Sequence, residues 1–577
     1  MFRPVALALV AWLGGCAGIV TGGGEPAEGD GDAADDADGE GEPLPDPVGR
    51  EPGAPILTID APPRGAIVEG DTVFVSGRVL ADTSAVATLT VNGRPTGIAE
   101  DGSFTVAVTV PSGITTIETA ATSVDGPRSS DVRAVLAGTM APPDTRVEAG
   151  VTAHIGPRAF SRLAGMVAAE ARAINLSAAA TAMNPLVDTG GSCNSARITV
   201  SSVSRSDIAV GAAPVSGGID VGAQVRGLVV QGRLSFRVLC IGGSTSWTIR
   251  ASVYGARGVF HPYLSGGGFR VGLSGVQSGF ASFGLSIGGV PGFITDLFAG
   301  AVRSRLNGML RDRIASVVPR QVNTLLRDFV ADDLEVSILG RAVRTSILPT
   351  SMVWSSVGGT IGLRTSAVVE GGDAPYLSTP RAAPSSEVMV SNDLRVSVAD
   401  DAVDQLLGGL WASGAFEVSA TDSLAEELAA MGVTTDLAAA AVRLSLPPVA
   451  AFDAGTGSAR VVVGDLLIEA TSPAGTTTLA VSAAIDLVAS AGADGRIRLH
   501  ALPPRVVYQM LGDREAEALD AELAGQIAAI VSEHLAGDLG DALGTLAIPG
   551  LPGAALSDVG VAPVGGHLVA GGTLSFH

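Results

Sequence analysis

Few side chains in this sequence are spaced for chemistry. Gly284-Leu285-Ser286-Ile287-Gly288 has the Gly-x-Ser-x-Gly pattern that lifts a nucleophilic serine on a sharp strand-to-helix turn. Here Gly289, Val290, Pro291 and Gly292 separate the serine from the next helical pattern, and Ser286 falls in phase with the polar side of a strand. A surface serine is expected, not a hydrolase. The six histidines, His154, His261, His500, His534, His567 and His577, include no pair four residues apart, so no helical zinc pair is expected. Asp30, Asp32, Asp36 and Asp38 alternate like early calcium-loop ligands, but the twelfth position counted from Asp36 is Pro47 and not a glutamate. All 36 basic residues are arginine, so no glycine loop with a phosphate-binding lysine exists. The expectation is a protein without catalytic residues, metal or cofactor.

The elements that would position a binding site are more informative. A chain of 577 residues suffices for three or four domains. Hydrophobic residues make up 46% and mean hydropathy is +0.40, yet no run after the first residues is long enough to be a clear membrane span. The net charge of −22 is unevenly placed. Residues 25–51 carry −10, whereas 151–380 hold 20 Arg against 12 Asp and Glu, and 381–577 hold 8 against 24. The basic segment reads either as a surface for anionic headgroups or as scattered solvated arginines. An acidic, aromatic-poor chain without a compact basic motif is not expected to bind nucleic acid.

Residues 17–55 are Gly, Pro, Asp and Glu, too polar to bury a core. Residues 56–138 alternate with period two, with Asn92-Gly93 and Asp101-Gly102 as hairpin turns. From 151 onward the pattern is helix, strand meander, long helix, and then the same again. The first helix covers Pro157–Ile174. The first long helix runs from about Phe293 to Phe329, its apolar stripe including Leu297, Val302, Leu306, Leu310 and Ile314, with a kink due at Pro319. The second long helix covers 514–543, with Leu523, Ile527 and Val531 on its stripe. Helix faces this broad must be covered by a one-faced sheet, either as a dry core or as a lipid slot.

Three stretches resemble known families. Arg3, the apolar run Val5–Leu13 and Leu13-Gly14-Gly15-Cys16 resemble a signal peptide ending in the bacterial lipobox. The resemblance implies cleavage after residue 15, acyl chains on Cys16, and a membrane anchor to which each buried methylene adds about 0.8 kcal/mol. Ala17 after the cysteine points to the outer membrane. With Cys16 acylated, Cys193 and Cys240 remain, as one disulfide in an oxidising envelope or as two free thiols. The order Val91-Asn92-Gly93, Asp101-Gly102-Ser103-Phe104, Gly113 and Ala120-Ala121 resembles bacterial immunoglobulin-like modules, which serve as spacers or stalks.

The third resemblance is to the bactericidal/permeability-increasing and lipid-transfer protein family. It rests on Val396-Ser397-Val398-Ala399-Asp400-Asp401-Ala402-Val403-Asp404-Gln405-Leu406-Leu407 with Leu410-Trp411-Ala412-Ser413-Gly414, and on the closing run Leu546–Pro552 with Gly566-His567-Leu568-Val569. It implies an α+β fold of two barrel-like halves, each a curved antiparallel sheet wrapped around a long helix. Leu406, Leu410 and Trp411 would join the two helix stripes in lining the lipid slots. The family's lysine-rich tip is missing, which argues against an endotoxin-neutralising role. The expected organisation is a signal peptide over 1–15, an acidic tether over 16–55, an immunoglobulin-like sandwich over 56–140, and lipid-binding halves over 151–380 and 387–577. The expected function is binding of lipid or another amphipathic ligand, with transfer as its extension, by an outer-membrane lipoprotein. The alternative is a non-catalytic structural or adhesive surface lipoprotein.

Overall fold

The computed structural model describes residues 50–576 apart from 82–84, 174, 183, 186, 190–191, 290–291, 327–330, 392, 420–425, 427, 429–438, 454–457, 473–474, 492–496, 512–520 and 545–553. The expected signal peptide, Cys16, nearly all of the tether, the aspartates 30–38 and His577 lie outside the described residues.

The alternating segment forms eight strands: β1 (Ile56–Ala61), β2 (Ala66–Glu69), β3 (Thr72–Leu80), β4 (Val86–Val91), β5 (Arg94–Pro95), β6 (Ser103–Thr109), β7 (Gly113–Ser123) and β8 (Arg128–Gly138). They make two facing sheets, β1-β3-β6 and β2-β8-β7-β4-β5. Val73, Val75, Leu89, Val91, Phe104, Ile117 and Val135 fill the space between them. Asn92 (φ 48°) and Gly93 (φ 70°) make the positive-φ turn that matches strand twist in a two-residue hairpin.

Next come β9 (Met140–Ala141), β10 (Val147–Ile155), helix α1 (Pro157–Ala173) and the short α2 (Leu176–Thr181). A first seven-stranded sheet contains β11 (Val187–Thr189), β12 (Ser195–Ser204), β13 (Asp207–Val215), β14 (Gly218–Val238), β15 (Ile241–Ser265), β16 (Gly268–Ala281) and β17 (Gly284–Ile287). Its path is β11-β12-β14-β15-β16, with β13 on β14 and β17 on β15. Helix α3 (Gly292–Leu326) follows, with Pro319 inside it. The chain continues through β18 (Ala331–Ile338), β19 (Arg341–Ser355), β20 (Gly358–Val369), β21 (Tyr376–Leu377), α4 (Ser386–Met389), β22 (Leu394–Ala399) and α5 (Asp400–Ala412). A second seven-stranded sheet contains β23 (Val418–Ser419), β24 (Ala439–Leu444), β25 (Val449–Asp453), β26 (Ser458–Ser472), β27 (Gly475–Ala491), β28 (Ile497–Ala501) and β29 (Arg505–Leu511). Its path is β23-β24-β26-β27-β28, with β25 on β26 and β29 on β27. Helix α6 (Ala521–Gly544), β30 (Ala554–Val564) and β31 (His567–Phe576) end the described chain.

The two units share a third seven-stranded sheet, β18-β19-β20-β10-β22-β31-β30. Its middle is the antiparallel pair β10 and β22, with Ala153 opposite Val396. Each unit opens on one of these strands, runs through its own sheet and long helix, and returns to the shared sheet. Residues Val151–Ile155 are all buried, as a central strand covered on both faces requires.

The α+β architecture of two barrel-like halves is not what forms. Among the described residues strands account for 60% and helices for 19%, so what is described is mostly β. Their sheets are several, none closes into a barrel among the described residues, and no long described helix is wrapped by one. Closure needs hydrogen bonds between the first and last strands of a sheet. Among the described residues no pairing joins β11 to β16 or β23 to β28, so neither sheet gains that seam. Helix α3 therefore lies along β16 and β17 at one end of its sheet, and α6 along β27, β28 and β29. Period-two alternation reports which face of a strand is buried, not which edges meet.

Candidate functional site

The two long helices are buried to very different degrees. On α6, Ala524, Ile527, Ala528, Ile530, Val531, Leu535, Leu539 and Leu543 join one continuous core with Leu406, Leu407 and Leu410 of α5 and the inner faces of β24–β29. Ile527, Leu406 and Leu410 are completely buried, and Trp411 and Leu523 pack against this core from its edge. Trp411 Nε1 also donates to the Leu444 carbonyl at 2.8 Å. In the second unit, therefore, the described helix stripe packs into a continuous apolar core.

On α3, by contrast, Val302, Leu306, Ile314, Val317 and Val318 are half-buried, Leu310 is exposed, and Val322 is buried. The side chain of Leu297 lies outside the described residues. Val302 and Leu306 rest against a small cluster whose buried members are Val200, Trp247 and Ile249.

The reason lies in β15, a 25-residue strand that changes its buried face part way along. Trp247, Ile249 and Ala251 are buried in its first half; Gly258, Phe260 and Pro262 are buried in its second. The odd positions give way to the even ones. Both neighbouring strands are distorted at the crossover. Gly227 (φ 57°) and Ser282 (φ 48°) fall on either side of Ser252, in breaks of the pairing with β14 and with β16 and β17, and the pairing with β16 shifts register again between Arg257 and Val259. Just past this crease, Val253 to Ala256 are all half-buried, committed to neither face.

An open cleft of about 790 Å³ lies here. It is lined by β13, β14, β15 and β16, and Val210, Ala223, Ala256 and Ser278 form a register row of small side chains across these four strands. Phe280 supplies an aromatic wall, with Tyr254 at a centroid distance of 4.7 Å and Phe283 at 5.4 Å. Helix α3 borders the lining strand β16: the Ser278 hydroxyl donates to Asn307 Oδ1 at 2.7 Å, and Arg303 Nη2 donates to the Phe280 carbonyl. Arg257, another lining residue, donates from Nε to both carboxylate oxygens of Asp220 at 2.8 and 2.9 Å. That bond holds the Asp220 carboxyl below its ordinary range despite some desolvation. Such a volume, mostly apolar walls and a few polar groups are the ordinary makings of a small-molecule site.

Sequence reading placed the binding residues on the helix stripes. The structure brings Leu406, Leu410, Ile527 and Val531 together in a core, and it places Val302, Leu306 and Ile314 along a less filled helix. It does not assemble the two groups into one site. Val210, Ala223, Ala256, Ser278 and Phe280 were missed. Small residues in strands were the available signal, but only the register shows that they share a row.

The residues with chemical potential lie apart from the cleft. Ser286 sits mid-strand on β17, exposed and paired with Thr248, not on a strand-to-helix turn. Buried His154 bonds Thr360 Oγ1 at 2.8 Å and the Val357 carbonyl at 3.2 Å. Cys193 and Cys240 form a disulfide. Among the described residues, no three His, Cys, Asp or Glu side chains are grouped for a metal, and no helix is long and apolar enough to cross a membrane.

The first turn of α5 carries a buried acidic group that fastens elements together. Asp401 Oδ1 accepts from the Thr379 amide at 2.7 Å, and Asp404 Oδ1 from the Ala450 amide at 2.6 Å. Gln405 accepts from the Ala367 amide and donates to the Pro143 and Thr145 carbonyls. Burial pushes the Asp400 carboxyl up to about 6, against the nearby Arg381, and also raises Asp404 well above the ordinary carboxylate range.

Residues 55–138 match the family model described as glucodextranase, domain B, well short of half the chain. This segment is an immunoglobulin-like all-β module. No curated protein matches the sequence. Among solved structures, the chain is similar to a lipopolysaccharide binding protein, at 12% identity and TM-score 0.42, over 74% of this chain and 99% of that one. It is also similar to P47 of Clostridium botulinum E1, at 6% identity and TM-score 0.26 over 75% and 100%. P47 from Clostridium botulinum A2 follows at 8% identity and TM-score 0.19 over 74% and 98%. At these scores the likenesses carry no inference about ligand.

Proposed function

We propose that this protein is a non-enzymatic lipoprotein of the bacterial envelope that holds a lipid or another amphipathic ligand in the cleft of its first sheet. The cleft carries this reading. Its lining of Val210, Ala223, Ala256 and Phe280 suits an acyl chain, and Asn307, Arg303 and the Arg257–Asp220 pair place polar groups around it. In the second unit, by contrast, the helix stripe is engaged in a core with α5, where Ile527 and Leu406 are fully buried. The lipobox-like run ending at Cys16 supports attachment by acyl chains, with the outer membrane as destination.

The test is uptake of a fluorescent fatty-acyl probe by the purified chain, with native mass spectrometry for co-purified lipid. Ala223→Trp and Ala256→Trp would fill the cleft and should abolish uptake without unfolding the second unit. A parent chain that takes up no probe, or tryptophan variants that take it up equally, would refute the reading. Anchoring is tested separately by metabolic labelling with a palmitate analogue, which Cys16→Ala should eliminate.

A structural or adhesive role is the second reading. It is favoured by the continuous apolar core of the second unit and by the polar contact that joins the immunoglobulin-like module to it, Arg64 to Asp465.

A further inference from the structure

The hairpin joining β14 to β15 ends in the two most exposed large apolar side chains among the described residues, Leu239 at 78% and Ile241 at 77%. Exposed side chains at a floppy tip would mean little, but this tip is held. Leu239 (φ 49°) and Cys240 (φ 64°) take left-handed conformations, and Cys240 is disulfide-bonded to Cys193. The Cys240 amide donates to the Cys193 carbonyl at 3.0 Å, the Leu239 amide to Asn194 Oδ1 at 3.0 Å, and Arg237 Nη1 to the Ser192 carbonyl at 3.2 Å. A cross-linked, hydrogen-bonded turn that keeps two aliphatic side chains in water needs a partner to account for it.

The flanking strands show what kind. Pairing puts Arg197 opposite Ser235, so Arg197, Arg233 and Arg237 share one face of the ribbon. Ile198, Leu234 and Phe236 share the other, and Phe236 is 38% exposed. Among residues 187–189, 195–204 and 228–250, Asp188 is the one carboxylate, against Arg197, Arg233, Arg237 and Arg250. Arg237 stands three residues from Cys240, roughly 10 Å down the strand. With the tip among acyl chains, its long stem would carry the guanidinium to the headgroup layer. A protein partner could cover the apolar tip; the arginine excess beside it fits a surface that is apolar inside and anionic outside.

We infer that this hairpin tip docks on an anionic lipid bilayer, with Leu239 and Ile241 entering the acyl region and the arginines meeting the headgroups. This contact is independent of the cleft and of the anchor.

The experiment uses the full chain with Cys16→Ser, so that the leader is common to every variant and acylation to none. Partitioning is measured on vesicles of phosphatidylcholine with or without phosphatidylglycerol. Leu239→Asp combined with Ile241→Asp should weaken partitioning roughly ten-fold or more; aspartate accepts the left-handed backbone at 239, so folding is spared. Arg233→Gln with Arg237→Gln should remove the preference for anionic vesicles. Leu239→Trp should be quenched by brominated acyl chains. Unchanged partitioning of the double-aspartate variant, or a Leu239→Trp signal untouched by brominated lipid, overturns the inference. Tip-dependent self-association without vesicle binding overturns it in favour of a second copy of the chain. Ala223→Trp should lose the acyl probe yet keep vesicle binding, which separates failure of the cleft from failure of the tip.

Discussion

Arg64 of the immunoglobulin-like module donates from Nη1 to Asp465 Oδ1 of the second unit at 2.9 Å, across 401 residues of sequence. The same guanidinium donates to the Val132 carbonyl at 2.8 Å and to Gln509 Oε1 at 2.9 Å. The other Asp465 oxygen accepts from the Ala134 and Gly65 amides at 3.0 and 3.2 Å. Leu136, Leu377, Leu446 and Val449 pack into an apolar cluster beside this contact. The module is therefore seated on the body and is not an independent bead.

Arg64→Ala should strand the Asp465 carboxylate, which is 2% exposed. Breaking a buried pair from one side costs about 3–5 kcal/mol. Urea unfolding should show that loss. Limited proteolysis should newly cut between the module and the first unit, near Thr139–Val147. An unchanged unfolding midpoint would show the contact to be incidental.

Asp400 gives a pH dependence of the opposite sense to an ordinary surface carboxylate. Burial lifts it from 3.8 to about 6, Arg381 opposes that rise, and Asp401 adds to it. Because the folded protein holds this proton more tightly than the unfolded chain does, the stabilisation is complete below pH 3.8. It is lost as pH rises to about 6. Asp400→Asn should flatten this part of the stability profile by on the order of 3 kcal/mol. Asp404, raised well above its ordinary value by burial and by its acidic neighbours, should add a decline of the same sense in both proteins. The parallel profile of Asp404→Asn, measured by chemical denaturation from pH 4 to 8, separates the two.

Ile527→Ala should cost about 2–5 kcal/mol, as a fully buried aliphatic truncation does, and leave uptake of the acyl probe unchanged. Leu310→Ala on the exposed side of α3 should change stability by less than about 1 kcal/mol. If Ile527→Ala abolished probe uptake in a folded protein, the ligand would belong to the second unit.

Gly359 lies opposite Trp354 between β20 and β19, and a methyl group on it would overlap the indole. Trp354 is buried and meets Phe160 of α1 edge-on at 6.1 Å. Gly359→Ala should destabilise by roughly 1–3 kcal/mol through this overpacking. Near-ultraviolet circular dichroism should register the displaced tryptophan. Gly232 and Trp247 repeat the arrangement in the first sheet.

Local features were readable where they depend on neighbours in sequence. Asn92-Gly93 marked a real hairpin turn, the helix expected at Pro157–Ile174 forms as Pro157–Ala173, and the one expected at Phe293–Phe329 as Gly292–Leu326. That the expected barrels do not close was not readable, because period-two alternation carries no trace of which strand edges pair. Nor was the cleft. Ala223 and Ala256 look like ordinary strand residues until the crease at Gly227, Ser252 and Ser282 sets which face each belongs to. Asp400 and Asp404 were legible as a helix start, but their burial was not, and the partners they bond, the Gly566 carbonyl and the Ala450 amide, come from distant parts of the chain.

The adjacency of β10 and β22 also bears on how the chain can be divided. Ala153 and Val396 pair in the middle of a sheet that takes four strands from the first unit and three from the second. Cut between Leu377 and Leu394, the chain would yield two pieces, each with a long, sticky, apolar edge where its partner had been. Those edges are complementary, so the pieces form a natural split pair, each completing the other's sheet when both are present and prone to aggregate when alone.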